Sequence, residues 1–394
     1  MVPGDTTGIL VRRSTLVSTP LPHRPSPGRP LVLRADVALI GTTLIVAAIG
    51  VVIVYSSTRS LAVLEGLSAH YYVYRQAAYV MVGALAMVLL AALDYRWLEH
   101  ASAVLYVGIV LVLLALFSPI GSKALGATRW IQVAGVQIQP SSFAIPVLIV
   151  TVATFCARRP EGLERPDLLK VLALAAVPIL LVVKQPDLAS GIVMCVVLLV
   201  MLVVAGIPNR YLVLLVVSAV VGAFAVVHLG LLKSYQFDRL ASFLHQGKNL
   251  QGNTYNLHQS VAAIGSGGFW GTGLFHGPQT NLQYVPSQPT DFIFSAVGEQ
   301  LGFVGSASVL FLLGLVSLRL LRAAQTSHDA FGRLLAVGSF TFVAFSVFEN
   351  AGMSMGIMPV AGIPLPFLSY GGSAIVAFFC AVGIALSVHL RRQR

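Results

Sequence analysis

The stretch that decides the fold is DVALIGTTLIVAAIGVVIVYSS, residues 36 to 57, in which one aspartate precedes a largely apolar run without further charge. A helix of roughly 20 such residues is about 30 Å long, which matches the hydrocarbon core of a bilayer. Inside that core the backbone polar groups cannot reach water, so a spanning segment of this composition must be helical. The stretch therefore predicts a transmembrane helix.

Segments of this kind recur along the whole chain. Hydrophobic residues make up 57% of the 394 residues and charged residues 10%, against about 25% charged in soluble domains. The pattern predicts an all-α, polytopic integral membrane protein with about ten transmembrane helices, and residues 35–394 are expected to form one membrane domain. The expected spans are 36–57, 73–93, 100–118, 141–157, 168–183, 187–205, 211–231, 291–318, 331–357 and 370–390.

The distribution of basic residues predicts the orientation in the membrane. With the N-terminus in the cytoplasm, 17 of the 25 Lys and Arg residues fall on the inner side, so the positive-inside rule places both termini there. The first 34 residues are rich in Pro and Arg and have no apolar core. They are therefore not a cleavable signal peptide and are expected to form a disordered cytoplasmic tail.

The net charge of +11 and the three cysteines have ordinary explanations. The basic residues are scattered over short loops and the tail, without the continuous stripe of a nucleic-acid-binding surface. Cys156, Cys195 and Cys380 lie within or at the ends of predicted spans and lack metal-ligand spacing, so they are expected to be packing residues. Neither feature indicates nucleic-acid binding or a metal centre.

Two predicted extracytoplasmic segments are long, at about 119–140 and 232–290, and such loops are uncommon unless they are functional or disordered. The second contains VAAIGSGGFWGTGLF (261–275), an apolar stretch expected to lie against the membrane surface or fold over the bundle. The predicted topology places several unusual groups on this same outer side. They are Arg129, Trp130, Lys184, Asp187, Asp291 and the segment PVAGIPLPFLSYGGS (359–373).

Acidic residues near or inside spans are candidates for chemistry, because burying a charge in a membrane is costly. Asp291 heads an apolar run in PSQPTDFIFSAVGEQ (286–300), and Glu299 and Glu349 fall within spans. Thr290 or Asp291 is also suited to capping the helix that follows, as is Asp187 after a proline. Capping and catalysis are compatible, because a cap fixes the position of a carboxylate.

Aromatic and basic groups on the outer side have alternative interpretations. Trp130 could belong to the aromatic belt of the membrane interface or could stack on a sugar, while Arg129 beside it suits a phosphate. His258 and His276 are isolated and do not have the spacing of metal ligands.

Five motifs, in the same order along the chain, resemble those of the SEDS family (shape, elongation, division and sporulation). The sequence MPVAGIPLPFLSYGG within the last motif is more similar to the RodA branch of the family than to the FtsW branch. The resemblance runs from the first predicted span to the last and is accompanied by the expected ten spans. The motifs are GATRWIQVAGVQIQPS (126–141), KQPDLASG (184–191), YNLHQSVAAIGSGGFWGTGL (255–274), TDFIFSAVGEQLGFVG (290–305) and NAGMSMGIMPVAGIPLPFLSYGGSA (350–374).

The resemblance implies a peptidoglycan glycosyltransferase that polymerises lipid II into glycan strands at the outer face of the bacterial plasma membrane, during elongation or division. It also implies a class B penicillin-binding protein as partner. By motif position Asp291 matches the family's essential aspartate and Trp130 its functional tryptophan. Further residues in the motifs are expected to contact the substrate, and a divalent cation is a candidate cofactor. These residues are Arg129, Lys184, Asp187, Thr290 and Ser369.

The chain departs from the family pattern at four positions. Ser142 and Ile145 replace a Glu and a Lys that would compensate each other, so losing both is less damaging than losing one. Pro289 stands where the family has a His before Thr-Asp, and Gln300 replaces a second Glu. We therefore expect Asp291 to act without a neighbouring imidazole.

Two other functions remain as alternatives. A lipid II flippase would carry polar sites near the bilayer midplane, access from both faces and often internal repeats, and no repeat is visible. A non-catalytic scaffold for a transpeptidase would tolerate replacement of Asp291. The enzyme interpretation instead requires one carboxylate as general base, because pyrophosphate leaves readily and the paired carboxylates of glycosidases are not needed.

Overall fold

The computed structural model describes residues 36–118, 121–124, 127–133, 136–159, 162–228 and 253–392. The tail expected at 1–34 lies outside these residues, as does the part of the long outer segment before residue 253. The described helices are α1 Val37–Leu64, α2 Tyr71–Ala92, α3 Arg96–Ala115, α4 Pro140–Ala157, α5 Arg165–Lys184, α6 Leu188–Val204, α7 Asn209–His228, α8 Asn253–Ser266, α9 Pro278–Asn281, α10 Ile293–Gln325, α11 Ala330–Ser354 and α12 Gly372–Leu390. The described strands are β1 Gly121–Ala124, β2 Ala127–Val133 and β3 Val136–Ile138.

The helices confirm a polytopic, all-α membrane protein. In the described part of the chain, eight helices are long and apolar enough to cross a membrane, and α6 and α7 are shorter apolar helices. Each of the ten predicted spans therefore coincides with a helix. The boundaries differ most at α10, which ends at Gln325 and not near residue 318.

The bundle has a buried centre and a lipid-facing periphery. The most apolar windows of α4, α11 and α12 are 78%, 67% and 83% buried, against 17% for α2 and α3. Gly83 on α2 fits against the Phe379 ring of α12, and Gly383 on α12 fits against the Met87 backbone of α2. Small residues allow this close approach, which matters in lipid because helices there gain little from hydrophobic burial.

The predicted extracytoplasmic segment 119–140 includes, in its described residues, a small antiparallel sheet in the order β1-β2-β3. Ser122 pairs with Trp130 across β1 and β2, and Ile131 pairs with Ile138 across β2 and β3. The β-branched and aromatic residues of ATRWIQV favour a strand. The sheet contacts α4 through β2 and α12 through β3, so it is attached to the central helices.

A break in α10 receives the apolar segment that follows α8. Gly302 has a φ of 64° and interrupts the helix, which leaves backbone groups on either side without helical partners. Thr272 and Gly273 donate their N–H groups to the carbonyls of Glu299 and Gln300, at 2.9 and 3.1 Å. On the other side of the break, the Phe303 N–H donates to the Gly268 carbonyl at 2.9 Å. The segment therefore folds onto the bundle, which is one of the two arrangements predicted for it.

The cysteine prediction holds at two of three positions. Cys156 is buried and Cys380 half-buried, whereas Cys195 is exposed on α6. Because α6 is an apolar helix, the exposed Cys195 faces the side where lipid would lie, which a small apolar side chain tolerates.

We predict that Gly302→Ala destabilises the protein by about 1 to 3 kcal/mol, the usual cost of holding a residue in an unfavourable backbone conformation. An added Cβ would also lie 2.8 Å from the Phe269 carbonyl oxygen. Thermal unfolding of the purified protein in detergent would measure the effect. Gly314→Ala on the same helix is the matched control, since nothing lies within 4 Å of the Cβ added there. Equal melting temperatures for the two variants would contradict the prediction.

Candidate functional site

Asp291 lies on a tight turn immediately before α10. The N–H groups of Thr290 and Asp291 both donate to the Ser287 carbonyl, at 3.2 and 3.0 Å, and Asp291 is half-buried. The prediction that Thr290 or Asp291 caps α10 is wrong, because the helix begins at Ile293 with Phe292 at the cap position and no side-chain cap bond. The Thr290 hydroxyl donates to the Ser287 carbonyl at 3.0 Å, within the turn that precedes the helix.

Asn350 on α11 anchors the backbone of this turn. Its side-chain amide donates to the Asp291 carbonyl and to the Ile363 carbonyl, each at 2.7 Å, and the residue is fully buried. One amide thus joins α11, the aspartate turn and the segment between α11 and α12. Asn350 and Ile363 are buried and Asp291 is half-buried, so losing the amide would remove the donor of one buried and one partly buried carbonyl.

The segment 359–371 contacts the aspartate turn, which the predicted topology places on the same side of the bundle without predicting a contact. The Tyr370 N–H donates to the Pro289 carbonyl at 2.8 Å, two residues before Asp291. The Ser369 hydroxyl accepts from the Leu365 N–H at 2.8 Å, and Ser369 is 2% exposed. Ser369 therefore shapes this segment from inside, and its contact with substrate stays a prediction.

Asp187 holds together the start of α6 and the start of α4. Its carboxylate accepts from the Ser190 N–H at 3.2 Å, the Ser190 hydroxyl at 2.8 Å, the Ser141 hydroxyl at 2.7 Å and the Gln139 amide at 3.0 Å. The residue is 3% exposed. The cap predicted for Asp187 is confirmed, and four donors occupy its two oxygens.

Arg129 connects the sheet to the turn before α6. Its Nε donates to the Gln185 carbonyl at 3.2 Å and its Nη2 donates to the Pro186 carbonyl. Lys184 is exposed, with its ammonium 5.4 Å from the centre of the Phe117 ring. Trp130 is half-buried on β2. The roles of these three side chains toward a substrate stay predictions.

A chain of contacts links the two acidic centres. The Gln139 N–H donates to the Ser373 hydroxyl at 2.8 Å, which joins the starts of α4 and α12. Ser373 follows three residues after Tyr370, whose N–H is bonded to Pro289. The Asp187 cluster and the Asp291 turn are therefore parts of one framework.

The two acids predicted inside spans are both buried. Glu299 is fully buried and its carboxylate accepts from the N–H groups of Gln279 and Thr280, at 2.7 and 3.0 Å. The Thr280 hydroxyl also donates to it, at 2.5 Å. Glu349 is 3% exposed and precedes Asn350 on α11.

The departures from the family pattern are accommodated locally. Ser142 and Ile145 are buried in α4, so these positions carry no ionised group that would need desolvation. The Gln300 side-chain oxygen accepts from the Ser56 hydroxyl at 2.6 Å and from the Phe275 N–H at 3.1 Å. A Gln at this position therefore supplies the acceptor that a Glu would supply. The Pro289 carbonyl accepts the Tyr370 N–H, a contact that does not depend on an imidazole.

Sequence reasoning did not single out the polar residues that assemble the site. They are Gln139, Ser141, Asn350 and Ser373. Asn350 could have been found, because an amide inside an apolar span must have a partner in the protein. Its partners lie 59 and 13 residues away, and only the fold identifies them.

Among the residues that the structure describes, no group of three or more His, Cys, Asp or Glu side chains could hold a metal ion. The described part of the chain therefore supplies no ligand set of this kind for the divalent cation suggested by the resemblance, and that cation stays a prediction.

Apolar helices around a polar framework at one end of the bundle define a polytopic membrane protein with a candidate site at that end. The chain belongs to the FtsW/RodA/SpoVE family of cell cycle proteins, whose model matches residues 36–394. This confirms the SEDS resemblance.

Similar proteins carry both of the names that the resemblance suggested. The chain is 32% identical over 356 residues to a probable peptidoglycan glycosyltransferase FtsW of Trichlorobacter lovleyi, covering 90% of this chain and 92% of that protein. It is 36% identical over 322 residues to the peptidoglycan glycosyltransferase MrdB of Escherichia coli K12, covering 81% and 86%. Its structure resembles a chain of a peptidoglycan synthase complex that coordinates polymerization and crosslinking. That likeness has a TM-score of 0.76 and 28% identity, covering 91% of this chain and 99% of that one.

We predict that Asn350→Leu lowers stability by about 2 kcal/mol, because the buried Ile363 carbonyl and the partly buried Asp291 carbonyl both lose their donor. We also expect the variant to lose enzymatic activity, since the Asp291 turn loses its anchor. Thermal unfolding and an activity assay on the same preparation would measure both effects. Ser346→Ala, one turn earlier on α11, is the control, because that buried hydroxyl donates only to its own helix at Phe342. Wild-type behaviour of Asn350→Leu would show that the anchor is dispensable.

Proposed function

We propose that this chain is a peptidoglycan glycosyltransferase that polymerises lipid II at the outer face of the bacterial plasma membrane, with Asp291 as general base. The observation that carries the proposal is the turn bearing Asp291, whose backbone is anchored from two other segments through Asn350 and Tyr370. A base must be positioned within hydrogen-bond reach of its proton, and an anchored turn provides such positioning. The FtsW and MrdB relatives are themselves named peptidoglycan glycosyltransferases.

The reaction joins two lipid-linked sugars. The 4-hydroxyl oxygen of the terminal N-acetylglucosamine of lipid II attacks the anomeric carbon of the growing chain and forms the new glycosidic bond. The bond from that carbon to undecaprenyl pyrophosphate breaks, and the pyrophosphate leaves with the bonding electrons. Asp291 accepts the hydroxyl proton as the oxygen attacks, a contribution typically worth about 10² to 10⁴-fold in rate.

Positive charge near the leaving group stabilises the pyrophosphate as it departs. Lys184 suits this role, because its ammonium is exposed at the end of α5 beside the Asp187 turn. Arg129 has two of its donor nitrogens on the Gln185 and Pro186 carbonyls, so we assign it to holding that turn. Trp130, adjacent to Arg129 on β2, would offer its ring to a sugar or a lipid chain.

The burial and hydrogen bonding of Asp187 agree with a mechanism in which Asp291 is the single base. The Asp187 oxygens accept four hydrogen bonds and the residue is nearly inaccessible, so it is poorly placed to take a proton from substrate. Its role is to fix the α4 and α6 ends around the site. Asp291, half-buried on its turn, remains the better base.

A transpeptidase partner and the membrane orientation complete the proposal. We propose a class B penicillin-binding protein as partner, supported by the likeness to a chain of a peptidoglycan synthase complex. Both termini lie in the cytoplasm under this proposal, which the excess of basic residues on that side supports. The flippase and scaffold alternatives lack a role for an anchored carboxylate.

Asp291→Asn should abolish glycan-strand formation from labelled lipid II by the purified protein with its transpeptidase partner. The amide keeps the shape of the side chain but cannot accept the hydroxyl proton, so a loss of about 10²-fold or more is expected. Gel separation of labelled products and thermal unfolding measure activity and folding. Asp94→Asn is the matched control, because that carboxylate is 45% exposed and pairs with Arg391 at the far end of the bundle. Wild-type polymer from Asp291→Asn would eliminate Asp291 as the base, and no polymer from the wild-type complex would favour the flippase or the scaffold.

The orientation predicts the behaviour of reporter fusions after Arg394. A green fluorescent protein at this end should fluoresce and an alkaline phosphatase should be inactive, because the phosphatase needs the oxidising outer compartment. The same reporters inserted after Gly277, on the outer loop, are the reciprocal control. Active phosphatase at Arg394 would reverse the topology.

A further inference from the structure

We infer that Glu299 is a positioning residue for Asp291, acting through the loop that connects α9 to α10. This inference rests on the proposed function, in which Asp291 is the base. Glu299 lies six residues after Ile293, about 9 Å along the axis of α10 at 1.5 Å per residue. It is fully buried and its oxygens accept hydrogen bonds from α9, so it is not assigned a catalytic role.

The Glu299 carboxylate is saturated by the start of α9. One oxygen accepts from the Gln279 N–H at 2.7 Å, and the other accepts from the Thr280 N–H at 3.0 Å and the Thr280 hydroxyl at 2.5 Å. Glu299 is fully buried, so these donors are the means by which its oxygens are satisfied. Hydrogen bonds to an ionised group are roughly twice as strong as neutral ones, which makes this a firm attachment.

Gly277 shows how closely the loop is seated on this carboxylate. A Cβ at residue 277 would lie 2.6 Å from the Glu299 Cδ and 2.7 Å from its Oε2. Real Cβ contacts are essentially never that short, so only glycine fits without displacing the carboxylate or the loop. The contact between Gly277 and Glu299 can therefore be disturbed by a substitution at either residue.

The loop from α9 to Asp291 is attached to α10 at both ends. Glu299 holds Gln279 and Thr280, and further along the loop the Gln288 amide donates to the Ser295 hydroxyl at 3.1 Å. Gln288 and Ser295 are both fully buried. Asp291 follows Gln288 by three residues, so the two attachments fix the loop against the helix that begins after the base.

Further hydrogen bonds restrain the part of the loop that lies between these two attachments. The Tyr284 N–H donates to the Gln279 carbonyl at 3.1 Å. The Gln283 amide donates to the Thr280 and Ser57 carbonyls, each at 2.9 Å. Because these hydrogen bonds restrain the loop, we expect a displacement of α9 to displace the backbone of Asp291 as well.

The chemistry requires a carboxylate at residue 299. Three donors converge on it, and a carboxylate offers two acceptor oxygens and no hydrogen. A glutamine would offer one acceptor oxygen and would turn its NH₂ group toward an N–H donor. Glu299→Gln is therefore expected to release α9 while preserving side-chain volume.

The test separates positioning from binding by steady-state kinetics of lipid II polymerisation with the partner present. Glu299→Gln and Gly277→Ala, which disturb the contact from opposite sides, should each lower kcat roughly tenfold or more, because small displacements of a reacting group are costly. KM should stay within about twofold, since no substrate contact is removed. Glu99→Gln, at an exposed ion pair with Arg158, is the matched control and should keep wild-type kcat.

Thr280 supplies a milder pair of variants that tests the same contact. Thr280→Val removes only the hydroxyl donor and should lower kcat in the same direction by a smaller factor. Thr280→Ser keeps that hydroxyl and should restore wild-type kcat. This pair carries the test if thermal unfolding shows that Glu299→Gln does not fold.

The outcomes distinguish this inference from the proposed function. An inactive Asp291→Asn together with wild-type kcat in Glu299→Gln or Gly277→Ala would overturn the positioning role alone. A raised KM with unchanged kcat would also overturn it, because Glu299 would then act on substrate binding. Full polymerisation by Asp291→Asn would remove the base itself, and both proposals would fail together.

Discussion

Every backbone N–H and C=O group in the membrane part of this protein needs a partner within the protein, because lipid offers none. Continuous helices meet this requirement by themselves, but the site is built where helices stop or break. The interruption of α10 at Gly302 is filled by N–H and C=O groups of residues 268–273, and the turn before α10 is completed by the Asn350 amide. The positions of Asp291 and Glu299 follow from how these interruptions are satisfied.

The acidic residues contribute in different ways to satisfying the backbone hydrogen-bonding groups near helix ends. Asp187 and Glu299 are buried and accept hydrogen bonds at helix starts, where the positive end of the dipole also favours a negative charge. Asp291 differs, because the backbone of its turn is held by Ser287 and Asn350. The position of its backbone is therefore set by main-chain contacts. Under the proposed function, Asp291 is the one acid among the 14 that acts as the base.

The sequence predicted most of the fold because the membrane restricts the choice of secondary structure. All ten spans and the family followed from apolar runs and motifs. One local expectation was wrong, because α10 begins at Ile293 with Phe292 at the cap position, and neither Thr290 nor Asp291 is its N-cap. The described residues of the predicted outer segment 119–140 include a three-stranded sheet, which was not predicted from the sequence. Both features depend on hydrogen bonds that residue preferences do not encode.

By itself, the sequence determined that this is a bundle of apolar helices with a SEDS-type set of motifs on one face, because hydropathy and motif order are properties of the chain alone. Tertiary structure decided which polar groups meet. Asn350 reaches Asp291 across 59 residues, Gln139 reaches Ser373 across 234, and Glu299 reaches back to Thr280. Such partners are selected by the packing of whole helices against one another, and the same motifs in a different packing would have given the acids different roles.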